Sequence, residues 1–298
     1  MPEGRMRCGE RSLRLKTGLR SLLLMVLALG LLAGVPAAAE TDFDITEIID
    51  EVDLDAPEYG SVAWNFPVAL EDMQPEFIVL ANQHYLLDSK FVVKPLKKIK
   101  SLSLNKDGSR KSGDMFVVSK GMELNETCAE ALIALSDAAR EDGYRLYLKS
   151  AYRSYQTQKT MYYNRLKKNK GKDDGWVSKP GASDHQTGLG CDVVPKSWKD
   201  KAMNSKMAKE PECIWMAEHC YEYGFIIRYP EDKQDVTEIN YEPWHLRYVG
   251  VPAATYITEN GMCLEEFTDE LQEAIRQFIA DGGDPALVEG FIQESTDE

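Results

Sequence analysis

The sequence predicts an α+β fold in which an antiparallel β-sheet is flanked by helices. Apolar residues recur at helical spacing over residues 124–142. Short alternating or apolar segments at 144–149, 225–229 and 240–247 have the length and composition of strands. The chain of 298 residues contains no internal repeat, so these elements belong to one large domain with extensions or to two modest domains.

The boundaries between these elements are marked by glycine and by changes of polarity. Gly143 ends the first helix, and the strand that follows delivers residues 150–153 to a strand-to-helix junction. Gly224 ends a later helix in the same way. The remaining elements are helices at 155–168 and 211–223, and a C-terminal amphipathic helix marked by Leu264, Phe267, Leu271, Ile275 and Phe278.

The first 39 residues have the three parts of a secretory signal peptide. Six basic residues precede an apolar run over 22–35, and the small residues Ala37, Ala38 and Ala39 follow it. The apolar run is shorter than the roughly 20 residues that span a bilayer, so cleavage after Ala39 is predicted. The protein is therefore expected on the extracellular or cell-wall side of the cytoplasmic membrane, anchored there if the signal is not cleaved.

Three further segments follow the signal peptide. Residues 40–75 are acidic and poorly periodic, which predicts a solvated spacer with little apolar surface to bury. Residues 76–262 have globular composition and form the predicted main domain. Residues 263–298 form a predicted C-terminal helical extension and tail.

The charge of the chain excludes one class of partner. Without residues 1–39, 29 basic and 47 acidic residues remain, a net charge of −18. Such a surface repels phosphate backbones, so nucleic acid is not expected as a partner. No stable protein partner is implied by the sequence.

Five cysteines remain after the signal peptide, an odd number that leaves at least one thiol free or paired between chains. Cys213 and Cys220 lie seven positions apart on a predicted helix, which separates their Cα atoms by about 10 Å, too far for a disulfide. The sequence contains no CxxC pair, so a cysteine zinc site is not predicted.

Two short clusters contain the residue types of a catalytic metal site. The first runs from Ser183 to Asp192 and includes His185, and the second contains Glu242 and His245. Two histidines and one carboxylate with an open fourth position suit a catalytic zinc ion, and a nearby carboxylate can accept a proton from water. The spacing does not match the helical HExxH motif, and spacing alone leaves open whether these histidines are ligands or ordinary core and surface residues.

The local backbone is consistent with a site built from these clusters. Gly188 and Gly190, between His185 and Asp192, suit a tight reversal of the chain. Cys191 is an alternative zinc ligand, but neighbours in an extended chain point in opposite directions, so it is expected to be a buried thiol.

The same residues carry a resemblance to a known family. Ser183-x-His185-x-x-Gly188-x-x-x-Asp192 followed by Glu242-x-x-His245 resembles the signature of the LAS zinc metallopeptidases, whose fold is also called hedgehog-like. The resemblance is greatest to the VanY-like D-alanyl-D-alanine carboxypeptidases and covers residues 76–262. It is supported by the segments 150–154, 223–230 and 241–250.

This resemblance implies roles for individual residues. It implies one zinc ion per chain, held at the sheet by His185, Asp192 and His245. It implies Glu242 as the base that takes a proton from water and returns it to the leaving amine, and Arg153 as the group that stabilises the oxyanion. Positions near the substrate in relatives match Ser154, Gln158 and Ser183, which are equally suited to capping local backbone.

The function implied is a D,D-carboxypeptidase that removes the terminal D-alanine from peptidoglycan stem peptides or their precursors. The alternative is a zinc-dependent peptidoglycan endopeptidase, which would use the same zinc chemistry to hydrolyse a different peptide bond. A non-catalytic cell-wall binding protein is a third hypothesis, which would require a lost base or ligand, and none is missing here. Asp184, beside His185, is predicted to be either a partner of the site or a solvated residue.

Overall fold

The computed structural model describes residues 62–297, which belong to one compact unit. The predicted signal peptide, residues 1–39, and the spacer up to residue 61 lie outside the described residues. Within residues 62–297, no helix combines the length and the apolar character needed to cross a membrane.

Seven helices and nine strands make up this unit, with short 3-10 helices in many connections. The helices are α1 (Glu126–Glu141), α2 (Tyr155–Lys168), α3 (Asp184–Thr187), α4 (Pro211–His219), α5 (Gln234–Thr237), α6 (Val251–Glu259) and α7 (Leu264–Ala280). The strands are β1 (Leu96–Lys98), β2 (Ser103–Leu104), β3 (Arg110–Ser112), β4 (Phe116–Val117), β5 (Glu123–Asn125), β6 (Leu146–Ser150), β7 (Gly190–Pro195), β8 (Phe225–Ile227) and β9 (His245–Tyr248).

The main sheet has five strands in the order β4-β6-β7-β9-β8. Every neighbouring pair in it is antiparallel except the edge pair β4 and β6. Two small two-stranded sheets, β1 with β5 and β2 with β3, lie outside it. The predicted α+β class with an antiparallel sheet and flanking helices is confirmed, with one parallel pair added at the edge.

Helix α1 packs against the main sheet through its apolar face. Leu132 and Leu135 are fully buried in the same core as Leu148 of β6 and Leu246 of β9. The side chain of Asn125 caps the helix by accepting a hydrogen bond from the backbone N–H of Cys128. The spacing of apolar residues over 124–142 therefore predicted both the helix and the face that it buries.

A second core forms around α7. Phe267 and Leu271 are fully buried there, and they pack with Phe66, Val68 and Met73 from the start of the described chain. These three residues fall within the segment predicted as a solvated spacer. For residues 62–75 that description is wrong, because their apolar side chains are covered by α7; the remaining domain boundaries stay a prediction.

The segment before His245 differs from the predicted strand over 240–247. Strand β9 begins at His245, and the residues before it form a turn in which the His245 N–H donates to the Glu242 carbonyl at 3.1 Å. Pro243 has no N–H to donate to a ladder, which is the physical reason for the shorter strand. The turn places the side chain of Glu242 at the end of an interior strand.

All five cysteines of the described chain, Cys128, Cys191, Cys213, Cys220 and Cys263, are buried and unpaired. Burial raises the pKa of Cys213, Cys220 and Cys263 to about 12. The expected buried thiol at Cys191 is confirmed, since Cys191 is fully buried in the core beside α1.

Candidate active site

Strands β7 and β9 place two of the predicted ligands side by side. Asp192 of β7 is the register partner of His245 of β9, and an oxygen of Asp192 lies 3.2 Å from His245 Nδ1. Opposite residues on neighbouring antiparallel strands point to the same face of a sheet. Both side chains therefore project from one face at the centre of the main sheet.

The third predicted ligand reaches the same point through a sharp turn. His185 lies on the one-turn helix α3, which ends at Gly188 with φ 80°, a conformation that glycine adopts without strain. A Cβ atom at Gly190 would lie only 2.8 Å from Asp184 Cβ, so the return of the chain into β7 requires glycine. The turn brings His185 Nε2 to 3.5 Å from an oxygen of Asp192.

The donor set fits a zinc ion. One ligand atom from each of His185, Asp192 and His245 lies within 4.8 Å of the others, and all three residues are buried. His245 Nε2 has no hydrogen-bond partner among the described residues, and Asp192 Oδ1, although 3.2 Å from His245 Nδ1, does not form a hydrogen bond of good geometry with it; buried polar atoms are normally satisfied. The carbonyl of Ala151 lies 2.8 Å from His185 Nδ1 and orients the ring, an arrangement typical of histidines that bind metals through the other nitrogen.

Glu242 lies beside these three residues. It is only 8% exposed, and its carboxylate is 3.5 Å from His245 Nδ1. Burial raises the pKa of Glu242 above its ordinary value, and the His245 ring opposes this shift. The backbone N–H of Glu242 donates to the Tyr229 carbonyl at 3.1 Å, which fixes the turn that carries the side chain.

Arg153 is held at the site by three contacts. Its Nη1 donates to Gln158 Oε1 at 2.7 Å, and its Nη2 donates to Ser150 Oγ at 3.2 Å. Its backbone N–H donates to the carbonyl of His185 at 3.0 Å, so the arginine and a predicted ligand are joined directly. The guanidinium is thus fixed beside the metal residues.

A cavity of about 200 Å³ opens onto these groups. All of the sequence-predicted site residues line it except Ser154. Ser154 caps α2 by accepting a hydrogen bond from the Thr157 N–H, and Gln158 holds Arg153 while it also faces the cavity. The lining residues are Arg153, Gln158, Met161, Trp176, Val177, Ser178, Ser183, His185, Asp192, Met203, Tyr229, Ile239, Glu242, Trp244 and His245.

Comparison with known proteins places this site in a family. The model of the VanY family, described as D-alanyl-D-alanine carboxypeptidase, matches residues 121–251. VanXYC of Enterococcus gallinarum, a bifunctional D-Ala-D-Ala dipeptidase and carboxypeptidase, is 39% identical over 133 residues, which are 44% of this chain and 70% of that protein. The chain belongs to the VanY family.

Two further proteins are similar to this VanY-family chain over different lengths. YodJ of Bacillus subtilis is 40% identical over 151 residues, 50% of this chain and 55% of YodJ, so the match spans little more than half of that relative. The solved structure of the LD-carboxypeptidase LdcB is 35% identical, with a TM-score of 0.55, and the match covers 65% of this chain and 87% of LdcB. The fold of this VanY-family chain is thus shared with a solved peptidase.

A buried group of charges behind the VanY-family site was missed in the sequence. Asp184 is fully buried, so it is not a solvated residue; it accepts a hydrogen bond from Arg228 Nε at 2.6 Å and another from Arg247. Arg228 also donates two hydrogen bonds to Glu265 of α7, at 2.6 and 2.7 Å. We call Asp184, Arg228, Arg247 and Glu265 the buried charge quartet.

One sequence signal was available for this quartet. Arg228 directly follows the apolar strand β8, and Arg247 lies within β9 between Leu246 and Tyr248. Arginine is almost never fully buried unless it is paired, so an arginine inside an apolar strand implies a buried carboxylate. The sequence did not show which carboxylates were the partners.

Proposed function

We propose that this protein is a zinc-dependent D,D-carboxypeptidase that removes the C-terminal D-alanine from peptidoglycan stem peptides. The observation that supports this proposal is that His185, Asp192, His245, Glu242 and Arg153 all face one cavity. This is the residue set that the family signature requires, and every member of it is present.

The zinc ion would be held by His185, Asp192 and His245, each of which offers one ligand atom within 4.8 Å of the others in a buried site. When bound, zinc supplies a Lewis acid and lowers the pKa of water toward neutrality. The Ala151 carbonyl keeps the His185 ring in the orientation that leaves Nε2 available.

Glu242 moves the proton of the reaction. Its buried carboxylate takes a proton from the attacking water and returns it to the nitrogen of the departing D-alanine. Its position in the turn before β9 aims it into the cavity rather than into the sheet.

Arg153 supplies a fixed positive charge for the oxygen of the scissile carbonyl. Gln158 and Ser150 hold the guanidinium, so no side-chain reorganisation is needed as negative charge develops. Gln158, which holds the arginine, is itself 1% exposed and donates to the Ser178 carbonyl at 2.6 Å, so both ends of its side-chain amide are engaged.

The size of the cavity favours a chain end. At about 200 Å³ it is smaller than the roughly 300–1,000 Å³ of pockets for larger ligands. Trp176 and Trp244 stack with 6.4 Å between their ring centroids and both line the cavity. A small terminal residue fits such a space better than the middle of a cross-linked peptide, which supports a carboxypeptidase over an endopeptidase.

The experiment is product analysis on defined stem peptides. Zinc-loaded protein and a Glu242→Ala variant are incubated with a pentapeptide that ends in D-Ala-D-Ala, and released D-alanine is measured. Release by the first protein only is expected. If neither protein releases D-alanine, the proposed activity is wrong, and the masses of digested muropeptides then distinguish an endopeptidase from a protein that binds zinc without turnover.

One comparison favours a second candidate activity. LdcB is an LD-carboxypeptidase, and its structure matches this chain over 87% of its own length. An L,D-carboxypeptidase removes D-alanine from a tetrapeptide in which the preceding residue is an L-centre. Comparing kcat/KM on the tetrapeptide and the pentapeptide assigns the preference, because Glu242 and Arg153 act in the same way on either bond.

The location of the protein is part of the proposal. A stem peptide in the wall lies outside the cytoplasmic membrane, and residues 1–39 have the composition of an export signal. N-terminal sequencing of the protein recovered from the producing cell tests this. A mature chain that begins at Glu40 is expected, whereas an intact N terminus in a membrane fraction would indicate an anchor.

A further inference from the structure

The buried charge quartet connects the C-terminal helix to the metal site. The family match ends at residue 251, so it includes Asp184, Arg228 and Arg247 but not Glu265. Glu265 lies in the first turn of α7 and forms a two-bond contact with the Arg228 guanidinium. A residue outside the matched segment therefore completes a cluster that begins inside it.

The quartet is balanced in charge and almost completely shielded from water. The side chains of Asp184, Arg228 and Arg247 are 0% exposed and that of Glu265 is 8% exposed. Burial opposes the charge of Arg228, but Glu265 and Asp184 raise its pKa well above the ordinary value. Removing the charge of Glu265 leaves one buried cation without its counter-ion.

Each segment that carries a proposed metal ligand contains or pairs with a member of the quartet; in β7, which carries Asp192, Gly190 is the register partner of Arg247. Asp184 directly precedes His185 on the one-turn helix α3. The Arg228 N–H donates to the His245 carbonyl at 3.0 Å, and Arg247 lies two positions after His245 on β9. The quartet is therefore linked to the backbone next to His185, through Asp184, and to the backbone next to His245, through Arg228 and Arg247.

The same connection reaches Arg153. The carbonyl of His185 accepts the Arg153 backbone N–H at 3.0 Å, so a shift of α3 moves the ligand and the arginine together. Arg247 also donates to the carbonyl of Val79 at 2.6 Å, which ties the quartet to the N-terminal segment of the described chain. The four charges of the quartet therefore adjoin α3 without lining the cavity.

We propose that Glu265 is a positioning residue for the metal site: through Arg228 and Asp184 it holds α3, and with it His185, in the geometry that binds zinc. This inference rests on the proposed zinc function. It gives α7 a role beyond covering apolar surface, because the helix supplies the last charge of the quartet. Partners behind the ligands of a metal site commonly change its affinity by roughly 10–100-fold.

The test compares two variants of α7. Glu265→Gln keeps the size of the side chain and removes its charge, whereas Leu271→Ala removes buried apolar contacts of the same helix and leaves the quartet intact. The zinc dissociation constant of each purified full-length protein is measured by competition with a chromophoric chelator, and the free energy of unfolding of each metal-free protein is measured in urea. Glu265→Gln is expected to weaken zinc binding at least about tenfold, and Leu271→Ala less than about twofold.

Two results would overturn the inference. One is an unchanged zinc dissociation constant for Glu265→Gln, and the other is equal weakening by both variants, which would mean that any loss of stability loosens the site. If Glu265→Gln does not fold, Glu265→Asp replaces it. The shorter carboxylate keeps the charge. For the inference to stand, the zinc affinity of the Glu265→Asp protein must lie between the affinities of the wild type and of Arg228→Gln.

The metal measurement separates this inference from the proposed function. Weaker zinc binding by Glu265→Gln in a protein that hydrolyses no stem peptide supports the positioning role and contradicts the proposed activity. Hydrolysis by the wild type together with an unchanged zinc dissociation constant in the variant supports the proposed activity and contradicts the positioning role. A wild type that binds no zinc contradicts both.

Discussion

Two charged clusters lie back to back in this molecule, and they differ in how their polar atoms are satisfied. In the buried charge quartet, each charge is paired with an opposite one at hydrogen-bond distance. In the metal site, Asp192 Oδ1 and His245 Nε2 are buried without a hydrogen-bond partner among residues 62–297. Asp184 and His185 are adjacent in sequence, yet one belongs to each cluster.

The difference shows how structure and function are divided between the two clusters. Satisfied buried charges fix one arrangement of the chain, because any other arrangement leaves a charge unpaired. Unsatisfied buried atoms are costly and are retained where a ligand completes them. Substitutions in the metal site should therefore affect catalysis at unchanged stability, and substitutions in the quartet should affect stability first.

The largest effect is expected at Glu242. Replacing it by glutamine removes the proton acceptor while keeping the shape of the side chain, so kcat should fall by roughly 10²–10⁴-fold. The zinc content should remain one ion per chain, since Glu242 is not among the proposed ligands. Steady-state kinetics and metal analysis check both parts, with the exposed Glu218→Gln as the control. A loss of zinc alongside activity would show that Glu242 belongs to the ligand set.

The next largest effect is expected for Asp184→Asn, which should lower the free energy of unfolding. The change leaves Arg228 and Arg247 without a shared counter-ion in a site that is 0% exposed, and breaking such a pair costs about 3–5 kcal/mol. Urea unfolding of the metal-free protein measures this. Asp200→Asn is the matched control because its side chain is 77% exposed, and it should change the free energy of unfolding by less than about 0.5 kcal/mol. Equal effects of the two substitutions would contradict the comparison between the clusters.

Arg153→Ala should lower kcat by about 10²–10³-fold, the usual effect of removing one group that stabilises an oxyanion. Arg276→Ala, whose side chain is 67% exposed and pairs with the exposed Glu273 on α7, is the control and should keep the wild-type rate. The kcat and the KM are measured separately with the pentapeptide as substrate. An increase in KM alone would mean that Arg153 binds the substrate equally in the ground state and the transition state.

The smallest effect is expected at Ser154. Because its side chain caps α2 and does not line the cavity, Ser154→Ala should lower the free energy of unfolding by about 1 kcal/mol and leave kcat/KM within about twofold. Thermal unfolding and kinetics on the same sample check this. A tenfold rise in KM would instead support the substrate-binding role that the family resemblance implies.

The fold could be predicted wherever local pattern and packing agree. The helix predicted at 155–168 is α2, since Gly and Pro are absent from its interior and Ser154 caps it. The strand predicted at 240–247 begins only at His245, because Pro243 and the turn at Glu242 override the strand-like composition of the residues before it. The burial of Phe66 and Val68 could not be seen, because their partners on α7 lie some 200 positions further along the chain.

At the candidate site, too, some residues could be predicted from the sequence and others could not. The proposed ligand residues could be found in the sequence because their order and spacing resemble a family signature, and the structure places them around one cavity. The quartet could not be predicted from the sequence. Its contacts join positions 44 and 37 residues apart, and no local pattern selects the partner of an arginine. Long-range pairing of charges is a property of the folded topology and not of any one segment.

The five buried thiols allow the opening of each core to be followed separately. Only a thiolate that reaches solvent reacts with an alkylating agent, and burial raises the pKa of Cys263 to about 12, so labelling reports exposure. Cys128 and Cys191 lie in the core behind the sheet, whereas Cys263 immediately precedes α7. The labelling rate of Cys263 relative to that of Cys191 therefore measures, in the native protein, how often the C-terminal helix detaches while the sheet stays closed.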